Sequence, residues 1–152
     1  MKEMKTNNKG FSLVELIVVV AIMAVLMVVL APAMLRYVEK TRVQKDDSAA
    51  SEVLKAVELA LADEPIYEEA KGGTITVTIK GSDGTMAFTN AAGGSAVTLL
   101  TAEVKATVGD TIKITSKDRG GKTCTIKAEY SSTRQTYVVK FDDTAGTVNG
   151  WK

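Results

Sequence analysis

From residue 16 to residue 35 the chain runs for twenty residues without a charge, bounded by Glu15 on one side and Arg36 on the other. As a helix rising about 1.5 Å per residue, that run spans roughly 30 Å, the thickness of a bilayer's hydrocarbon core. Nine of residues 11–35 are β-branched, a mixture that forms isolated helices poorly in water. Lipid offers the backbone no other hydrogen-bond partner, so a membrane would enforce the helix. Glu15, near the start of this run, is the residue that needs a reason.

The rest of the chain bounds what surrounds the run. At 152 residues it suits one domain with an appendage. The 45 % apolar and 24 % charged content looks average only because the layout is uneven. The formal net charge is +1, and without the first ten residues 16 basic and 17 acidic side chains remain, so nothing calls for nucleic acid as a partner. A single cysteine, Cys124, excludes an internal disulfide, and its alternation with Ile126, Ala128 and Tyr130 places it among packing residues. With no histidine there is no Ser-His or Cys-His base and no His-containing zinc set, and no glycine or aspartate spacing matches a phosphate or calcium loop. Asp142, Asp143 and Asn149 have oxygen ligands of the kind calcium takes, but they read as solvated turn residues. No catalytic residue, cofactor or metal is expected.

Three readings compete for the N-terminus. A secretory signal peptide would use Lys2, Lys5 and Lys9, the apolar stretch, and Ala31-Pro32-Ala33 as an A-x-A cleavage site. Against it, the stretch exceeds the usual length, and an acid opposes insertion by up to about 2.5 to 3.5 kcal/mol at a helix centre, less near an end. A plain membrane anchor leaves orientation undecided, because Arg36, Lys40, Arg42 and Lys45 balance the lysines upstream. The third gives Glu15 a purpose.

Lys9-Gly10-Phe11-Ser12-Leu13-Val14-Glu15-Leu16, with the apolar run behind it and Pro32 within it, resembles the leader junction of type IV prepilins and type II secretion pseudopilins. The resemblance covers about the first third of the chain. It implies cleavage by a membrane prepilin peptidase between Gly10 and Phe11 and N-methylation of Phe11, which makes the chain a substrate rather than an enzyme. Glycine leaves the backbone open to the peptidase, and the lysines hold the leader on the cytoplasmic side. Cleavage would give Phe11 a cationic amine that stays basic after methylation, while Glu15 sits in the first helical turn, where the helix dipole favours an acid. The resemblance further implies that Glu15 meets the terminal amine of a neighbouring subunit and sets the stagger in a filament, a registry role known for buried polar groups. Pro32 lacks an N–H and clashes with the carbonyl of Val28, so a helix kink or local loosening is expected around it.

From residue 36 to 62 no glycine or proline interrupts, and Ala50, Val53, Leu54, Val57 and Leu61 form one apolar face, so an amphipathic helix continues the first and stops before Pro65. One helix of about 50 residues would extend roughly 75 Å, its first half needing lipid or identical helices and its second half a sheet. Beyond it, strands are expected at 74–80 and 85–89 around the turn Gly81-Ser82-Asp83-Gly84, and at 111–115, 123–130 and 135–141, as an antiparallel meander. Residues 96–107 fit either a short helix or a strand, and 144–151 an edge strand or a wrap. Charge is segregated: Lys113, Lys117, Arg119, Lys122 and Lys127 against Asp118, but Glu58, Asp63, Glu64, Glu68 and Glu69 before Lys71. Complementary contact between copies is one consequence, solvated faces the other.

The expected fold is therefore α+β: a leader at 1–10, a transmembrane or filament-core helix half at 11–35, an amphipathic half at 36–64, and an antiparallel sheet domain at 65–152. The resemblance implies a structural pilin subunit that waits in the cytoplasmic membrane, bathed in lipid, and is then moved by an assembly platform into an extracellular filament of copies of itself or related pilins. A pseudopilin of a secretion or DNA-uptake system is the alternative within the family. From another class, the alternative is an extracellular binding domain with an ordinary signal or anchor. The missing disulfide departs from many pilins that pin a C-terminal loop that way, which leaves the subtype open.

Overall fold

The computed structural model describes residues 10–70, 73–91, 97–143 and 150–151. Helix α1 spans Leu13–Ala60, and the chain divides into two compact units, Met1–Val38 and Glu39–Lys152. In the first unit every described residue is exposed, the apolar ones included. An 18-residue window there has a mean hydropathy of 3.2 with none of it buried, so α1 is long and apolar enough to cross a membrane.

The second unit begins with the amphipathic half of α1. Asp46, Ala50, Val53, Ala56, Val57 and Ala60 are buried, a stripe recurring every three or four residues. Three of the six are alanines, and the apolar members of the stripe belong to the same buried cluster as Ile75, Val77 and Ile126. Leu54 is half-buried, and Leu61 is buried just beyond the helix end. The helix stops at Ala60, and Pro65 opens a second helix instead of merely closing the first. Helix α2, Glu64–Ala70, starts where the Asp63 carbonyl accepts the Tyr67 N–H at 2.9 Å, and proline suits a first turn that needs no internal donor.

Strands β1, Ile75–Lys80, and β2, Met86–Asn90, form the expected hairpin. Its turn requires its glycines: Gly84 has φ +71°, and a Cβ there would lie 1.8 Å from the Ile112 carbonyl oxygen, while one on Gly81 would lie 1.7 Å from that of Arg119. Residues 96–107, which fit helix or strand, resolve as helix α3, Thr98–Val108, burying Leu100 and Val104 one turn apart. Its first two N–H groups, on Thr98 and Leu99, donate to the two carboxylate oxygens of Glu69, each at 2.9 Å. Glu69 thus caps from α2 a helix whose own preceding residue, Val97, cannot.

Strands β3, Thr123–Ser131, and β4, Thr136–Phe141, complete a sheet in the order β2-β1-β3-β4 with every pair antiparallel. A simple meander was expected, but β3 returns beside β1, because α3 and the segment after it carry the chain back across the hairpin. Ile75, Val77 and Ile79 pair with Ala128, Ile126 and Cys124, and all six are buried, whereas Thr76, Thr78, Thr125 and Lys127 face outward. Tyr137 of β4 donates its hydroxyl to the Ala70 carbonyl and ties the sheet to the end of α2.

The strand expected at 111–115 does not form; only Thr111 bridges, to Thr85. The backbone donors just beyond it are taken by carboxylates of α1. Asp46 accepts Thr115 N–H at 2.8 Å, Thr115 Oγ1–H at 3.0 Å and Ser116 N–H at 2.8 Å, and Glu39 accepts Lys117 N–H at 2.6 Å. Asp47 receives Arg119 Nη2 at 2.7 Å, and the Arg119 guanidinium lies 5.2 Å from the ring centre of buried Trp151. Of the last expected segment, residues 144–149 lie outside the described residues, and Trp151 makes a single bridge to Cys124.

Asp46 is wholly buried, so its removal leaves three donors without an acceptor. Asp46→Ala is expected to cost about 3 kcal/mol, measured by denaturant unfolding of the detergent-solubilised chain through the fluorescence of its single tryptophan.

Candidate functional site

The chemistry-bearing residues of the N-terminal segment sit where α1 begins. Gly10, Phe11 and Ser12 precede the helix, so the Gly10–Phe11 bond lies outside regular hydrogen bonding. Gly10 is exposed, with nothing within 4 Å of where a Cβ would stand, and Phe11 is 84 % exposed. Among the described residues nothing covers this linkage.

The Ser12 carbonyl accepts the Leu16 N–H at 3.2 Å, which makes Ser12 the N-cap and Glu15 the third helical residue. From there the Glu15 Oε2 reaches back to accept the Ser12 N–H at 3.0 Å. This is the acidic half of a capping box, a device typically worth about 1 kcal/mol to a helix start. Sequence reasoning treated Glu15 only as a partner of the helix dipole and of an amine. The S-x-x-E spacing of Ser12 to Glu15, ahead of an apolar run, was the signal it missed. The cap turns the carboxylate toward the helix N-terminus, onto the N–H one residue after Phe11.

Pro32 lies well inside α1, and helix runs on both sides of it. Its ring supplies no N–H, so the Val28 carbonyl lacks its usual helical donor.

Residues weighed for other chemistry have structural partners. Asp142 pairs with Lys127 at 3.2 Å, Asp143 accepts the Gly150 N–H at 2.7 Å, and Asn149 lies outside the described residues. Cys124 is completely buried, and burial pushes its thiol pKa up to about 12. A thiol held neutral is a poor nucleophile. Iodoacetamide at pH 8 is therefore expected to leave native Cys124 unmodified and to label it fully in denaturant, read by intact mass.

Residues 5–31 match the family described as the prokaryotic N-terminal methylation motif. Over 87 residues the chain is 30 % identical to the type IV major fimbrial protein FimA of Dichelobacter nodosus, an overlap covering 57 % of this chain and 54 % of that protein. The chain thus spans about half the length of the curated relative it matches. No solved structure matches the chain. The resemblance to the type IV pilin and pseudopilin family holds: the chain carries the prokaryotic N-terminal methylation motif on a pilin-like α+β layout of long helix and four-stranded antiparallel sheet.

Proposed function

We propose that this chain is a structural pilin, clipped after Gly10, N-methylated at Phe11, and built with copies of itself or related pilins into a type IV pilus. The observation that carries the proposal is the first half of α1: an exposed apolar surface with one carboxylate fixed at its mouth, inside a methylation motif. Such a surface is stable only in lipid or against other apolar helices. The subunit would cross the cytoplasmic membrane once before assembly and lie at the cell surface afterwards. In this role residues 1–10 are the leader, 11–35 the filament core, 36–64 the helix half that carries the sheet, and 65–152 the exposed domain. The division of the structure at Val38 and Glu39 supports separating the greasy half from the rest.

Each residue at the junction has work in that sequence of events. Gly10 admits a prepilin peptidase to an unobstructed bond. Hydrolysis exposes the Phe11 amine, which is cationic and is then methylated. Glu15, already turned toward that end of the helix by the Ser12 N–H, presents its carboxylate where an amine of a neighbouring subunit can meet it. In an apolar core the pair neutralises both charges, and only one axial stagger satisfies it. Pro32 would let the helix bend or loosen near Val28 when an assembly platform draws the subunit out of the membrane. The chain acts here as substrate and building block, and needs no catalytic group of its own.

The mature N-terminus is the direct test. Intact mass of the filament subunit is expected to fit a chain beginning with N-methyl-Phe11, whereas a chain beginning at Met34 or at Met1 overturns the proposal. Gly10→Val should leave the precursor ten residues longer, seen as a slower band and a larger mass.

Glu15→Ala should be processed and inserted normally yet assemble poorly. Leaving one charge of a buried pair unmatched costs about 3 to 5 kcal/mol. That is a loss of filament on the order of a hundredfold or more, measured as sheared filament per cell at equal subunit level.

A further inference from the structure

Part of the charge that looked segregated along the chain is engaged within it. Arg119 is buried against Asp47 at 2.7 Å, Lys122 meets Asp118 at 2.9 Å, and Lys127 meets Asp142 at 3.2 Å. The Lys122 ammonium holds the Asp118 carboxyl below its ordinary range. On the acidic side, Glu69 is spent on the start of α3. What the fold leaves exposed is a smaller set, and it has a direction.

Lys45, Lys113 and Lys117 are exposed, and no ion pair holds them among the described residues. Lys45 and Lys113 line the same surface hollow together with Glu52, and Lys117 lies within the segment gripped by Glu39, Asp46 and Asp47. These cations therefore gather near the beginning of the Glu39–Lys152 unit. Glu58, Asp63 and Glu64 are likewise exposed without an ion pair among the described residues. They rim three hollows that share Ala62, joined there by Glu103, with Arg134 on one wall and Lys55 one turn before Glu58 as the nearby cations. Lys45 and Glu58 are thirteen residues apart on α1, or about 20 Å along its axis.

The acidic end also runs against the helix's own electrostatics. The last turn of α1 contains no basic residue and holds Glu58, although a helix C-terminus carries a partial negative charge and favours cations. No side chain of that turn corrects this, so a cation from outside would be doubly welcome there. Tyr130, 39 % exposed beside Tyr67 in the same hollow as Glu64, adds an aromatic face on which an ammonium can rest.

We propose that the acidic rim around Glu58, Asp63 and Glu64 of one copy receives Lys113 and Lys117 of another. The two patches are different surfaces at opposite ends of one unit, so the contact is head-to-tail. A head-to-tail contact does not close on itself as a two-fold pair does; repeated, it continues as an open series. Like ends repel, so the same charges that favour this stacking reject the inverted one. The proposal rests on the filament reading and adds to it the sheet-domain contact that accompanies the helical core.

The test uses the full chain in cells that make the filament, with intact mass of Phe11-processed subunit as the control for the underlying reading. K113E/K117E and E58K/E64K are each expected to lower filament yield about tenfold, and the combined swap to recover it to within about threefold, as matched charges do across an interface. The neutral K113Q/K117Q should fall in the same direction by less, and wild-type filaments should weaken as salt rises. Either reversed pair assembling like wild type overturns the contact while leaving the pilin reading intact. So does a swap that fails to recover although every variant is processed and keeps the wild-type unfolding midpoint. A wild-type chain that is unprocessed at Phe11 removes the reading and the contact together.

Discussion

The first half of α1 is an apolar surface that the described structure leaves uncovered, and the remaining features answer to that fact. A soluble domain hides such a surface in its own core, whereas here every described residue through Val38 is exposed. The cost of that exposure in water is large, so the segment needs lipid or other apolar helices around it. A carboxylate within it is tolerable only if something meets it. Within the chain the Ser12 N–H does so, at the point where the surface begins. The proposed amine of a neighbouring chain would strengthen the same arrangement rather than create a new one.

The Glu39–Lys152 unit solves a separate problem, holding a long irregular segment without a disulfide. Three acids of α1 grip residues 115–119: Glu39 and Asp46 through backbone N–H groups, and Asp47 through Arg119. Arg119 in turn covers Trp151, which bridges to Cys124 in the sheet. The C-terminal end is thus fastened by a charged stack on a buried indole, where a covalent loop would otherwise serve. Breaking such a buried pair on one side is costly, so the arrangement also fixes which packing is native.

Much of this was legible in the sequence because it rests on local period and spacing. The apolar run, the stripe through Ala50, Val53 and Val57, and the hairpin around Gly81 and Gly84 each follow from rules that need no tertiary partner. The illegible parts depend on distant residues. Residues 111–115 alternate like a strand, but Asp46, about seventy positions earlier, takes the N–H groups of Thr115 and Ser116. Residues 96–107 had no cap of their own, and Glu69 of α2 supplied one. Pro65 looked like a terminator because proline ends helices, yet it is equally at home in a first turn. Ser12 and Glu15 differ: their capping spacing is local and present in the chain, so the reach of the carboxylate back to the Ser12 N–H was legible there.

In the proposed filament Glu15 stands at the helix start to pair with the Phe11 amine of another subunit. Electron cryomicroscopy of the native filament at side-chain resolution tests this most directly. The Glu15 carboxylate is expected within about 4 Å of a neighbouring chain's N-methylated Phe11 nitrogen, with the apolar halves of α1 packed together around it. A filament in which that carboxylate meets only its own chain, or faces solvent, would contradict it.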